Sequence, residues 1–169
     1  MIRRPAALIP DAEFSLADDD PFAYQARMST PHAPIAGQDQ FRQRLAPYAA
    51  AVGIELDLPP RAILAQAALE TGWGEHVIRR PDGSSSHNYF GIKADRDWHG
   101  DVVNVATTEY IDGRAVSVQA RFRAYHSPLE AFRDYASFLE DNPRYREVIH
   151  SRGDEAKFAH GLASAGYAT

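Results

Sequence analysis

The sequence predicts an α+β domain in which helices come first, one β excursion follows, and helices return. Two observations carry that order. Apolar residues recur at three- and four-residue intervals on both sides of a central stretch. Within that stretch, Asp112-Gly113 separates two runs of β-forming residues, the local signature of a hairpin.

Taken in chain order, Phe41, Leu45, Tyr48, Ala49 and Val52 mark an amphipathic helix. Asp39 is placed to cap its start and Gly53 to end it. Leu58-Pro59-Pro60 introduces a second helix, with Pro60 suited to its first turn. From Arg61 to Leu69 only Arg61 and Gln66 are polar, so this helix is expected to be buried nearly all round. It runs into Glu70-Thr71-Gly72-Trp73-Gly74, whose glycines permit a helix end and close backbone approach. A polar loop follows over residues 82–88, then the short apolar segment Tyr89-Phe90-Gly91-Ile92-Lys93. Val103, Val105, Thr107 and Glu109-Tyr110-Ile111 form the outgoing strand, and Val116 to Phe122 the return. Ser127-Pro128-Leu129-Glu130 combines a capping box with proline at the first helical position. Leu129, Phe132, Ala136 and Leu139 give that helix its buried stripe. Asn142-Pro143 opens another helix, and Asp154 a last one that reaches Ala165 and stops at Gly166.

Residues 1–36 read differently. Five prolines and the run Asp18-Asp19-Asp20 leave no helical or strand period, so this stretch is expected to be a disordered tail or linker ahead of a domain at 37–169. The 169 residues, 44% hydrophobic and 24% charged, suffice for one domain with a tail. A net charge of −5 argues against general nucleic-acid binding, which needs a basic footprint. No cysteine is present, which removes disulfides and thiolate metal sites. No apolar run is long enough to span a membrane, and Pro5 and Pro10 bracket a stretch too short for a signal peptide. The seven histidines show no His-Glu-x-x-His pair and no i, i+4 spacing, so no metal or cofactor is expected. Nucleophile elbows and phosphate-binding glycine loops are absent too.

Glu70 is the residue on which chemistry can be built. At the end of an apolar helix, desolvation and the negative end of the helix dipole both oppose its ionisation. A carboxyl kept protonated near neutral pH is what a general acid requires. The competing reading, an exposed glutamate at a helix end, is left open by the residues alone. Trp73 beside it suits a carbohydrate cleft, although a core tryptophan is the plainer reading. A glycosidase usually needs a second carboxylate. Glu109, near the hairpin tip, is the candidate, against the plain alternative of a solvated hairpin glutamate. Asp95, Asp97 and Asp101 are lesser candidates.

Three ordered stretches resemble the glycoside hydrolases of family 73. They are Ala65-Gln66-Ala67-Ala68-Leu69-Glu70-Thr71-Gly72-Trp73-Gly74, Asn88-Tyr89-Phe90-Gly91-Ile92-Lys93, and Phe122-Arg123-Ala124-Tyr125 with Ser127, Phe132, Asp134, Tyr135, Phe138 and Leu139. The resemblance covers residues 38–169 and is nearest to members that act in flagellar rod assembly. It implies a lysozyme-like fold, a mainly helical lobe with a small β-hairpin lobe flanking the cleft. It implies hydrolysis of the β-1,4 bond after N-acetylglucosamine in peptidoglycan, in the periplasm, by export through the flagellar apparatus. Glu70 then matches the essential acid, Glu109 the second acidic residue, and Tyr167 a tyrosine near the catalytic glutamate. Trp73, Asn88, Tyr89, Phe90 and Tyr125 are implied substrate contacts. Partners implied are peptidoglycan glycan strands, and rod proteins through an N-terminal domain that this sequence does not contain. Relatives of this kind continue past the position of Thr169, so Tyr167 is expected to be loosened.

Two mechanisms fit. Glu109 activates water in an inverting reaction, or the substrate's acetamido group attacks with help from Tyr167. Competing functions are a lytic transglycosylase of the same fold and a glycan-binding or rod-scaffold module without strong catalysis.

Overall fold

A computed structural model describes residues 37–111 and 114–167, with the side chains of 108–111 left aside. The expected tail over residues 1–36 lies outside the described residues, as do Asp112, Gly113 and Thr169. Helix α1 spans Gln38–Leu56 and α2 spans Pro60–Thr71. Strands β1 (Asp101–Ile111) and β2 (Arg114–Ala124) form a two-stranded antiparallel sheet. Helix α3 is Pro128–Asp141, followed by a 3₁₀ turn at Pro143–Tyr145, α4 at Arg146–Ile149 and α5 at Glu155–Ser164. The expected order of helices, hairpin and helices is what the chain adopts.

The predicted stripe of α1 is its buried face: Phe41, Leu45, Tyr48, Ala49 and Val52 are all nearly inaccessible. Both expected ends of the helix differ. Gly37 stands at the N-cap with no side-chain cap, while Asp39 sits in the first turn and pairs with Arg42 at 2.8 Å. Gly53 does not stop the helix, which runs on to Leu56 and ends at left-handed Asp57. Gly53 instead lets the start of α2 approach, since a Cβ there would lie 2.6 Å from Pro60 Cγ.

Around the core, α3 contributes Ala131, Phe132, Tyr135, Ala136 and Leu139, and α5 contributes Phe158 and Leu162. Leu129 is only half-buried. Ser127 caps α3 as expected, accepting from the Glu130 amide at 3.2 Å. The reciprocal bond closes one residue earlier than in a standard capping box, because Glu130 accepts from the His126 amide at 2.8 Å. Asn142 and Asp154 likewise cap the 3₁₀ turn and α5.

The hairpin is in register from Asp101↔Ala124 to Ile111↔Arg114, leaving the two residues of the predicted turn between the strands. Its base is buried through Val103, Ala120 and Ala124, while Val116 toward the tip is exposed. The loop before it is stitched to β2 by Arg123 N to Ile92 O at 3.0 Å and Ala94 N to Arg121 O at 2.9 Å.

Candidate active site

The site is built on the last turn of α2. One face of that helix, Ile63, Ala67 and Ala68, enters the core. The other does not: Leu69 is 69% exposed and Ala65 is exposed. The expectation of burial all round therefore fails, because the neighbouring helices cover one side of α2 only. Glu70 falls at the boundary and is half-buried. Burial raises its carboxyl above the ordinary glutamate value, and a hydrogen bond from Gln66 partly opposes that rise. Gln66 Nε2 donates to Glu70 Oε1 at 2.8 Å. The other oxygen, Oε2, faces Gly91, where an added Cβ would stand 3.6 Å away. The carboxyl thus has one oxygen held by the protein and the other against a side-chain-free stretch of backbone. That arrangement suits proton donation to an incoming oxygen.

After Glu70 the chain reverses sharply. Gly72, Trp73 and Gly74 all take left-handed φ values, 55°, 60° and 89°. Thr71 Oγ1 ties the turn, donating to Ala67 O at 2.7 Å and accepting from Gly74 N at 2.9 Å. A tryptophan at φ 60° is strained by about 1–2 kcal/mol, so its packing must hold it. Its ring meets Phe41 edge-on at 5.8 Å and carries the Arg42 guanidinium 5.0 Å over its face. One face of Trp73 is therefore occupied by a cation rather than open to a sugar.

The residues read as substrate contacts from the second and third motifs are placed elsewhere. Asn88, Tyr89, Phe90 and Tyr125 are only 1–3% exposed, so their side chains have no surface to offer a glycan. Asn88 is a staple: its Nδ2 donates to Ile92 O at 2.9 Å and Arg123 O at 2.8 Å, and its Oδ1 accepts from Ile92 N at 3.1 Å. Tyr89 lies beside Phe132 and places its hydroxyl 3.2 Å from His87 Nδ1. Phe90 stacks on Tyr135 with centroids 3.9 Å apart and planes 5° from parallel. Tyr125 donates to Asp134 at 2.7 Å. Together they fix the backbone of residues 88–92, and hence Gly91, against Glu70.

Tyr167 does come to the site, and it is anchored rather than loosened. Its hydroxyl donates to Phe90 O at 2.8 Å. Its ring packs against Tyr135, Tyr145 and Phe138 at 5.7–6.3 Å. Burial is the first cause pushing its phenol up, and the Glu70 carboxyl adds to it. Glu109 lies on β1 opposite Val116, and its side chain is outside the described residues. Asp95 and Asp101 are engaged in ion pairs, with Arg123 at 3.2 Å and Arg80 at 2.9 Å. Asp95 and Asp97 line a cavity of about 460 Å³ with Trp98, Arg123, Asp134 and Phe138. No cluster of three or more histidine, aspartate or glutamate side chains among the described residues could hold a metal ion.

Gln66 and Gly91 escaped the sequence reading as site residues. Gln66 left a signal, a polar residue one turn before Glu70 on an otherwise apolar helix. Gly91 left none beyond its place in a motif.

A helical lobe carrying a β-hairpin, with a half-buried acid at the end of a core helix, defines a glycoside hydrolase of lysozyme-like build. The glucosaminidase family model, described as mannosyl-glycoprotein endo-beta-N-acetylglucosaminidase, matches residues 46–169, and the chain belongs to that family. Among its relatives, the peptidoglycan hydrolase FlgJ of Vibrio parahaemolyticus is 44% identical over 85% of this chain and 46% of the relative. FlgJ of Pseudomonas aeruginosa is 44% identical over 80% of this chain and 34% of its own. The chain thus spans less than half the length of these relatives. A C-terminally truncated glycoside hydrolase domain of Salmonella typhimurium FlgJ superposes with TM-score 0.67 at 42% identity, covering 78% of this chain and 87% of that one. A mutant peptidoglycan hydrolase from Sphingomonas sp. A1 gives 0.68 at 44% identity, covering 79% and 84%.

Proposed function

We propose that this domain hydrolyses peptidoglycan at the β-1,4 bond between N-acetylglucosamine and N-acetylmuramic acid, with Glu70 as the proton donor. The observation that carries the reading is the Glu70 carboxyl, whose pKa burial raises above the ordinary glutamate value and whose Oε2 lies on the Gly91 side. Proton transfer from Oε2 to the glycosidic oxygen releases the leaving sugar. Glu109 is then the base for an attacking water, or the acetamido group of the N-acetylglucosamine residue attacks the anomeric carbon. Tyr167 acts in this scheme by holding the Phe90 carbonyl, and so the wall facing Glu70. The substrate class is supported by the relatives, which are peptidoglycan hydrolases. Their FlgJ identity supports a role in letting the flagellar rod cross the cell wall, with the periplasm as the place of action and rod proteins as partners of the whole protein.

The test is Glu70→Gln on purified peptidoglycan. Turnover falls by orders of magnitude, while co-sedimentation with the polymer persists; a mutant that clears substrate normally would refute the assignment. Mass spectrometry of the wild-type digest separates the readings. Reducing N-acetylglucosamine ends support the glucosaminidase, and 1,6-anhydro-muramyl ends mean a lytic transglycosylase. The anomer first released, read by NMR, reports inversion or retention.

A further inference from the structure

Helix α2 buries five residues, and two of them are polar, Gln66 and Thr71. Thr71 is spent on the turn that follows, bonded to Ala67 O and Gly74 N. Gln66 lies one helical turn before Glu70 and is only 8% exposed. A buried amide costs free energy unless it is bonded, and an apolar side chain would fill the same place without that cost. Its contact shows what the amide is for: Nε2 donates to Glu70 Oε1 at 2.8 Å. Polar pairs four residues apart contribute little on an exposed helix face. Here the donor is buried and the acceptor half-buried, which strengthens the bond. The second carboxyl oxygen, Oε2, lies on the other side, toward Gly91.

We propose that Gln66 is a positioning residue for the acid: its amide holds Oε1 as an acceptor, leaves the proton on Oε2, and tightens on the carboxylate when that proton goes to the glycosidic oxygen. The inference rests on Glu70 being the proton donor. The carbonyl oxygen of a carboxylic acid accepts a hydrogen bond better than its hydroxyl oxygen, so a donor fixed on Oε1 puts the proton on Oε2. No covalent bond to Gln66 forms or breaks. The O–H bond at Oε2 breaks, a new one forms on the leaving sugar, and the electron pair of the glycosidic bond goes with that oxygen. An amide N–H holds a carboxylate about twice as strongly as a neutral acid. The gain appears only as the proton departs, so it lowers the barrier and leaves substrate binding unchanged. Two phenols feel the Glu70 charge, Tyr135 of α3 and Tyr167, and Tyr167 is committed to Phe90. On α1, Arg42 pairs with Asp39, and on α5 Glu155 meets Arg61 of α2 at 3.7 Å. Past the turn, His76 lies against Gly72, while Glu75 and Lys93 are exposed.

The experiment is Gln66→Met in the whole chain, which keeps an unbranched side chain of similar length and removes the donor. Without it the carboxylate is less stable and Glu70 a weaker acid, so the basic limb of the kcat/KM profile moves up by about one pH unit. On the acidic plateau kcat falls about three- to tenfold while KM holds. The ¹³C titration of the Glu70 carboxyl, assigned by its disappearance in Glu70→Gln, shows the same upward shift without turnover. A limb that moves to lower pH overturns the proposal, because the amide would then be accepting from the neutral acid. An unmoved limb and titration overturn it as well, whether activity holds or falls in step with the melting temperature. If Glu70→Gln still turns over, the acid assignment itself has failed. If that variant is dead and the Glu70 titration is the same with and without the amide, only the role of Gln66 has failed.

Discussion

Replacing Gly91 by alanine separates stability from catalysis. Gly91 has φ +65°, where an L-residue costs about 1–2 kcal/mol. The added methyl would sit 3.6 Å from Glu70 Oε2, an ordinary contact, so strain rather than collision sets the penalty. For a domain of this size that loss lowers the melting temperature by roughly 3–7 °C. Against a typical stability of about 5–15 kcal/mol the protein stays folded at assay temperature. The chemical cost is larger. A glycosidic oxygen must come within about 2.6–3.2 Å of the donating carboxyl oxygen, and the methyl occupies space beside it. A displacement of about 1 Å at such a site costs about a hundredfold. Gly91→Ala is therefore expected to lose 10- to 100-fold in kcat/KM on soluble glycan fragments, with the modest thermal shift measured in the same buffer. If activity stays within about twofold of the parent while the thermal shift appears, substrate does not approach Glu70 from the Gly91 side.

Two other outcomes follow from the same geometry. Glu70→Gln should be more stable than the parent at neutral pH: the folded acid has a raised pKa, so the native state binds the proton more tightly than the unfolded chain, and stability falls as pH rises from 4.5 through the folded value. Urea melts at two pH values test this, and the gap must close below 4.5; a gap of the opposite sign would show that the carboxyl is not desolvated. Asn88→Ala removes three hydrogen bonds, two that brace residues 88–92 and one that ties them to Arg123 of β2, and should cost about 2–4 kcal/mol in chemical denaturation, with activity falling further than Gly91→Ala. A loss under about 0.5 kcal/mol would mean that the loop is held by other contacts.

How far the sequence reached depended on the kind of order each segment has. Helices α1 and α3 announced themselves because a period of 3.6 sorts buried from exposed positions, and the hairpin because Asp-Gly imposes its own geometry. Glu70 stood out by its place at a helix end, but the residues alone left an exposed glutamate as the equal alternative; the structure makes it half-buried. The segment from residue 82 to the hairpin has no period, so nothing local indicates which side its residues face. For Asn88, Tyr89 and Phe90 the role of substrate contact came from the resemblance alone, and the structure buries their side chains in the protein itself. The run of apolar residues in α2 misled for a related reason: alanines are tolerated on either side of a helix, and Leu69 sits on the open one. That the Tyr135 hydroxyl finds no partner among the described residues is invisible to pattern, since its ring lies on the buried side of α3, which phenylalanine would fill equally.

Among its described residues, the hairpin is fastened near its root. Val103, Ala120 and Ala124 are buried there, and outward from Ala120 the described side chains of β2 are mostly in solvent. Eight residues separate Asp101 from Glu109, about 26 Å of extended backbone. A tilt of about 10° at such a root swings the far end by about 4–5 Å over that length. The bolts at the hinge are Arg123, which grips Asp95 and Asp134, and Asn88, which grips the Arg123 carbonyl. In the proposed mechanism these two side chains, far from the tip, set the angle at which the strand bearing Glu109 leaves the helical lobe.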